Sequence, residues 1–135
     1  MKVISWKKFI ETTKNRRPIP YLQDVVKNIK LSKGLALDIG CGAGVDVKYL
    51  AKNGFRVTAI DKDRNSVIQT KKICNNLLVE VVKKDIKDYK IKPCAYQLIV
   101  AWNVFPFLKK QDAVTILYYV QQGLKKGGVL IFSIF

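Results

Sequence analysis

Three glycines within five residues, Gly40, Gly42 and Gly44, follow a short apolar run in the stretch LALDIGCGAGVDV, residues 35–47. Glycine lets a chain turn sharply and lets a ligand touch bare backbone. The residues just downstream have helical character, and a helix N-terminus offers unpaired N–H groups. The combination suits a cofactor held against main chain; a tight strand-to-helix turn without a ligand is the alternative. The dinucleotide fingerprint is GxGxxG. Here the spacing is GxGxG, and Val45 stands where the third glycine would be. Asp38, two residues before Gly40, would repel a pyrophosphate and suits a ligand carrying an ammonium or sulfonium group.

Three further stretches carry groups that could complete such a site. Asp61, in TAIDKD, lies 21 residues past Gly40. A carboxylate only accepts hydrogen bonds, and its two oxygens match two adjacent ribose hydroxyls. NAD enzymes and nucleoside-binding methyltransferases share this device, so Asp61 does not choose between them. Asp85, in VVKKDIKDY, is placed to accept from an exocyclic amine such as adenine N6, with Ile86 packing on the ring. An ordinary loop aspartate is the competing reading. In AWNVFPF, Trp102 and Asn103 would face a crevice walled by Phe105 and Phe107. Core packing is the alternative for these aromatics.

All four stretches gain meaning from the elements that must position them. Val3, Trp6 and Ile10 fit one face of a short helix, broken at RRPIP, residues 16–20. Leu22, Val25, Val26 and Ile29 follow the i, i+3, i+4, i+7 pattern of an amphipathic helix ended by residues 32–34. Strands and helices then alternate: strand 35–39, helix 45–52, strand 56–60, helix 65–76, strand 78–82 and strand 97–101. The stripe of Ala113, Ile116, Leu117, Val120 and Leu124 predicts a helix ended by Lys125–Gly128, before a fifth strand at 129–134. On the fourth helix Val67, Thr70, Lys71 and Cys74 fall on one side. This alternation predicts an α/β fold with a doubly wound parallel sheet and helices on both faces. In such sheets ligands bind beyond the carboxyl ends of the strands, where the strand order reverses. Residues 1–17 read as a basic helix or arm, and 18–135 as the body.

The totals narrow the classes. A chain of 135 residues, 49% apolar and 26% charged, reads as one globular domain. No apolar run is long enough to span a bilayer or act as a signal peptide, so the expectation is a cytoplasmic protein without membrane contact. Three cysteines without a CxxC spacing suggest neither a disulfide framework nor a zinc site. With no histidine, mechanisms built on Ser–His, Cys–His or His-bound metal are excluded. The net charge is +15, and residues 1–33 carry nine basic residues against two acidic ones. A basic surface suits nucleic acid. However, 21 of the 25 basic residues are lysine and only four are arginine, the better reader of bases and phosphates, which favours compositional bias.

The stretches LALDIGCGAG, VTAIDKD, KKDI, YQLIVAWNVFPFL and LKKGGVLIFSIF, in this order, resemble the successive motifs of class I S-adenosylmethionine-dependent methyltransferases. The nearest flavour is the small tellurite-resistance-like or thiopurine-methyltransferase-like branch. The resemblance spans residues 18–135, and its specific part is the glycine motif with Asp61. It implies a Rossmann-like sheet with strand order 3-2-1-4-5, S-adenosyl-L-methionine as cofactor, and methyl transfer as the reaction. It further implies that Asp38 with Gly40, Cys41, Gly42 and Gly44 holds the methionine portion. Asp61 would hold the ribose with Lys62 beside it, Asp85 with Ile86 the adenine, and Ala101 and Trp102 would lie next to the sulfonium. This cofactor has no phosphate, so a third dinucleotide glycine is not required. Its methyl group is already activated, so proximity, alignment and exclusion of water can supply much of the catalysis without histidine. No residue is assigned as catalytic.

Two departures qualify the expectation. Asn103 is followed by Val-Phe-Pro-Phe, whereas DNA and protein amide methyltransferases carry Pro-Pro-Tyr/Phe there, so amino methylation of adenine or glutamine is not supported. Related sheets have seven strands in the order 3-2-1-4-5-7-6, while this sequence reaches Phe135 after the fifth. The fifth strand is therefore expected to be an edge open to a second copy of the chain, and the acceptor side to be incomplete. The expected function is methyl transfer to a small-molecule acceptor. The alternatives are an RNA or DNA methyltransferase using the basic surface, or a non-catalytic cofactor-binding module.

Overall fold

A computed structural model describes residues 5–28 and 33–134; Val3, Ile29 and Phe135 lie outside that range. Five parallel strands form one sheet in the order β3-β2-β1-β4-β5. The strands are β1 (Leu35–Ile39), β2 (Arg56–Asp61), β3 (Val79–Lys83), β4 (Tyr96–Ala101) and β5 (Leu124–Phe132). This is the predicted order. Alternation explains the two cores. Successive strand residues point to opposite faces, and a sheet covered on both sides must be apolar at every position. Ala36, Val57, Ala59, Leu98 and Val100 face one helical layer, while Leu37, Ile39, Ile60, Ile99 and Ala101 face the other. By the same parity Asp38 and Asp61 share the face of Ala36 and Ala59.

The first face is covered by α2 (Pro20–Asn28) and α3 (Val45–Lys52), through Leu22, Val26, Val47 and Leu50, with Cys74 from the end of α4 (Arg64–Ile73). Proline begins α2, where its fixed φ fits the first turn and its missing N–H costs nothing. Asp63 caps α4 by accepting from Ser66 N at 2.9 Å. That helix stops three residues short of the predicted Asn76, which adopts a left-handed φ of 67°. Val67, Thr70 and Cys74 are buried as their spacing predicts, but Lys71 is exposed. Ahead of these, α1 (Trp6–Thr13) buries Ile10 and begins at Ser5, whose side chain accepts from Lys8 N.

The second face is covered by α5 (Lys110–Gly123), through Ile116 and Val120, and by the connection after β3. Here the structure corrects the expected helix end. Cys94 N and Ala95 N donate to the carbonyls of Gln122 and Gly123 at 2.9 Å each. These bonds satisfy acceptors that a helix end otherwise leaves free, so α5 ends at Gly123 and the chain enters β5 at once. Leu124 pairs with Tyr96, yet Val129 pairs with Leu98. Five steps along β5 thus match two along β4, and Lys125–Gly128 bulge out within the strand rather than ending the helix. Among the described residues no helix is long and apolar enough to cross a membrane.

Candidate functional site at the carboxyl edge of the sheet

Strand order alone sets the predicted residues in a row. Reading across the sheet, the exits of β4, β1, β2 and β3 present Trp102, the glycine loop, Asp61 and Asp85. With strands about 4.8 Å apart, this row runs about 14 Å. The order reverses between β1 and β4, which is where such sheets open a crevice.

The loop after β1 is held by β2. Gly40 N and Cys41 N both donate to Ile60 O, at 2.7 and 3.0 Å. Gly40, Gly42 and Gly44 have φ of 71°, 53° and 83°, a region that side-chain-bearing residues rarely enter. Each has a different neighbourhood. A Cβ on Gly40 would meet Val104 Cγ2 at 2.7 Å, so the β4 exit packs down on this glycine. A Cβ on Gly44 would meet Thr70 Oγ1 at 2.7 Å. A Cβ on Gly42 would meet nothing within 4 Å. Gly42 therefore borders open space, as a residue cradling a ligand must.

Asp61 locks this loop to β2. One of its oxygens accepts from Gly42 N at 3.0 Å, and the other from Asp63 N at 2.9 Å. Each oxygen keeps further acceptor capacity. Burial raises the Asp61 carboxyl above its ordinary range, while the N–H groups of Asp63 and Gly42 pull it back. Its main-chain carbonyl accepts from Lys84 N at 3.0 Å, which ties in the exit of β3. Lys62 is exposed next to it. Asp85 caps a short 3-10 turn, Ile86–Asp88, by accepting from Lys87 N at 3.0 Å. Asp85 and Ile86 are both half-buried.

Asp38 is buried at the end of β1. Desolvation pushes its carboxyl well above the usual carboxylate range; Asp46 adds to this, Arg16 opposes it, and Asp61 adds to it. Asp46 is itself buried in the first turn of α3. Its carboxylate accepts two hydrogen bonds from the Arg16 guanidinium, at 2.6 and 3.2 Å, and one from Ile19 N at 3.0 Å. The segment before α2 is thus anchored directly behind the glycine loop.

At the exit of β4, Ala101 is fully buried and Trp102 packs on the core of the first face. Asn103 takes a left-handed φ of 57° and is pinned by Ser133, whose hydroxyl accepts from Asn103 N at 2.8 Å. Phe105 makes an edge-on contact with Phe132. Phe107 meets Trp6 of α1 edge-on at 5.8 Å, and both are exposed.

The fold ties the glycine loop to Asp61 by hydrogen bonds, sets buried Asp38 at the strand end that leads into the loop, and places Asp85 and Trp102 at the two ends of the row. Sequence reading missed three supports. Thr70 donates to Gly42 O at 3.1 Å and lies 3.4 Å from Cys41 Sγ. Its only signal was a hydroxyl on a packed helical face. Asp46 was readable as an acid in a helix first turn, but Arg16 gave no local signal because its partner is 30 residues away.

Comparison with known proteins follows the same lines. The family model described as tellurite resistance protein TehB matches residues 6–134. A probable S-adenosyl-L-methionine-dependent methyltransferase TehB of Haemophilus influenzae is 33% identical over 108 residues. That match takes in 78% of this chain and 37% of the relative, so the chain spans little more than a third of its length. A structure described as a putative S-adenosyl-L-methionine-dependent methyltransferase from Methanococcus maripaludis superposes with a TM-score of 0.77 at 21% identity, over 98% of this chain and 66% of that one. Coclaurine N-methyltransferase, solved with N-methylheliamine and SAH, gives a TM-score of 0.69 at 25% identity, over 83% of this chain and 34% of that one. The fold is the Rossmann-like one of these proteins.

Proposed function

This chain belongs to the tellurite resistance protein TehB family, and from that premise we propose that it binds S-adenosylmethionine and serves methyl transfer to a small molecule. The observation that carries the reading is the bonded unit of Gly42 and Asp61 beside buried Asp38. It offers bare backbone, a ribose acceptor and a carboxylate, with no third glycine for a pyrophosphate. The methionine portion lies against Asp38 and the loop Gly40, Cys41, Gly42 and Gly44. The ribose is held by Asp61 with Lys62 alongside, the adenine by Asp85 and Ile86, and the sulfonium faces Ala101 and Trp102. The exposed rings of Trp6 and Phe107 supply an apolar wall for the acceptor. With no histidine in the chain, a soft anion or thiol, which needs little help from a base, is the acceptor class that fits. Free thiols at Cys41, Cys74 and Cys94 suit a reducing cytoplasm.

Calorimetry tests the cofactor. S-adenosylmethionine and its demethylated product S-adenosylhomocysteine should bind and NAD should not; NAD binding in their place would overturn the assignment.

A nucleic-acid acceptor is the second reading, favoured by one feature. A cleft of about 460 Å³ between α1, α3 and α4 is lined by Lys14, Arg16, Lys48 and Lys52. Two of these are already paired, Arg16 with Asp46 and Lys14 with Glu11, which weakens the case. A homodimer through β5 is also proposed: that strand is an edge of the five-stranded sheet, with Phe132 and Ile134 exposed near its end. Light scattering on a size-exclusion column, with and without a short single-stranded RNA, addresses both. The expected result is at least twice the 15.4 kDa chain mass, with the RNA eluting separately. A monomer would refute the pairing. Co-elution that weakens steeply with salt would favour the nucleic-acid reading.

A further inference from the structure

Three carboxylates stand on the elements that frame the glycine loop. Asp38 is on β1, Asp46 on α3 and Asp61 on β2; the first two are buried and Asp61 is half-buried. The cation that pairs with one of them, Asp46, is Arg16, which belongs neither to the sheet nor to the loop. It arrives from the connection between α1 and α2 and grips Asp46 with two nitrogens at 2.6 and 3.2 Å. Its side chain is 38% exposed while that of Asp46 is 6% exposed, so the pair reaches from the surface to the base of the loop. Ile19 N closes the same clamp from three residues on.

We propose that Arg16 is a positioning residue for cofactor binding, one that clamps the segment before α2 to the first turn of α3 and offsets the negative charge gathered around Asp38. The proposal rests on the reading that Asp38 receives the ammonium end of S-adenosylmethionine. An ionised Asp38 would attract that group; a protonated one would not. The groups facing Asp38 are Asp46 from α3, Asp61 from β2, Cys41 from the loop, Cys74 from the end of α4 and Arg16 from the N-terminal segment. Of these, Arg16 is the only cation, and it alone favours the ionised form.

The sign follows. Asp38 is raised, so its ionised form is lost as pH falls through the folded value, and attraction for an ammonium is lost with it. The apo protein has the opposite dependence: stability contributed by a raised carboxyl is lost as pH rises through that value. Removing Arg16 raises Asp38 further, so cofactor binding fails at a higher pH than in the wild type. Removing the charge of Asp46 lowers it, so binding persists to a lower pH.

The experiment measures affinity for S-adenosylhomocysteine against pH in the wild type, Arg16→Met and Asp46→Asn. 5′-Methylthioadenosine, which lacks the ammonium and carboxylate, is the control ligand. The expected midpoints rise in the order Asp46→Asn, wild type, Arg16→Met, with a loss of roughly threefold or more for Arg16→Met over the pH range in which wild-type binding falls. Methylthioadenosine binding should show no such ordering. Mere loosening of the clamp would shift both variants the same way and weaken both ligands alike, and that result would overturn the proposal. If Arg16→Met does not fold, Asp46→Asn decides it: a midpoint unchanged or raised refutes the role. Failure of the wild type to bind either ligand would instead refute the cofactor reading.

Discussion

Asp61→Ala should weaken S-adenosylhomocysteine binding by about 2–3 kcal/mol, or roughly 30- to 150-fold, the scale of two charge-assisted hydrogen bonds lost together. The structure gives reason to expect the upper end. Each Asp61 oxygen already holds a main-chain N–H, from Gly42 and from Asp63. The alanine variant therefore loses the proposed ribose acceptor and also frees the middle of the glycine loop. Asp61→Asn preserves shape and one carbonyl acceptor but not charge, and should fall between the two. Ligand-dependent thermal stabilisation is an independent check, since a ligand that binds only the folded state stabilises it in proportion to RT ln(1 + [L]/Kd). The wild type should gain on adding S-adenosylhomocysteine, and Asp61→Ala should gain almost nothing at the same concentration. Unchanged affinity in the alanine variant would remove Asp61 from the site.

What the sequence made legible was local or periodic. Helix α3 falls on the predicted residues, because Gly44 and Asn53-Gly54 punctuate both of its ends. Asp61 was singled out by its fixed remove from a glycine turn, and the structure places it against that turn, accepting from Gly42 N. The boundary of α5 and β5 was not legible. A Lys-Lys-Gly-Gly run has the composition of a helix stop, but the residues that end α5 are Cys94 and Ala95, contributed through main-chain N–H groups from a loop some 30 residues earlier. The end of α4 fails for a milder reason: the apolar pattern continues to Leu77, and only the backbone of Asn76 shows that the chain has already turned. In the site the same division holds. Residues at strand exits were readable from chain order alone. Thr70 and the Arg16–Asp46 clamp support those residues from other elements, and pairings of 28 and 30 residues leave no periodic trace.

Gly42→Ala and Gly44→Ala should separate ligand space from packing space, although the two glycines are only two residues apart. Both sit at positive φ, 53° and 83°, so each alanine bears a conformational cost of about 1–2 kcal/mol. At Gly44 that is the smaller part. The added Cβ would lie 2.7 Å from Thr70 Oγ1 and 3.0 Å from Thr70 Cα. A side-chain oxygen can rotate away, but a helix backbone atom moves only with α4. The same displacement would strip Thr70 from Gly42 O, its partner at 3.1 Å. Overpacking of this kind adds about 1–3 kcal/mol, so Gly44→Ala should be destabilised by about 2–5 kcal/mol, a large share of the typical 5–15 kcal/mol stability of a domain. Gly42→Ala meets no atom within 4 Å, so denaturant unfolding should show only the conformational cost. Its methyl group would instead occupy the cradle where the methionine portion is proposed to lie, and S-adenosylhomocysteine affinity should fall by about tenfold or more, consistent with an overpacking cost of that size. The decisive pattern is therefore crossed: Gly42→Ala folds nearly as well as the wild type and binds poorly, whereas Gly44→Ala fails first in stability. If Gly42→Ala binds like the wild type, the cofactor does not use the face of the loop that Gly42 leaves open, and the methionine portion must be sought elsewhere along the carboxyl edge.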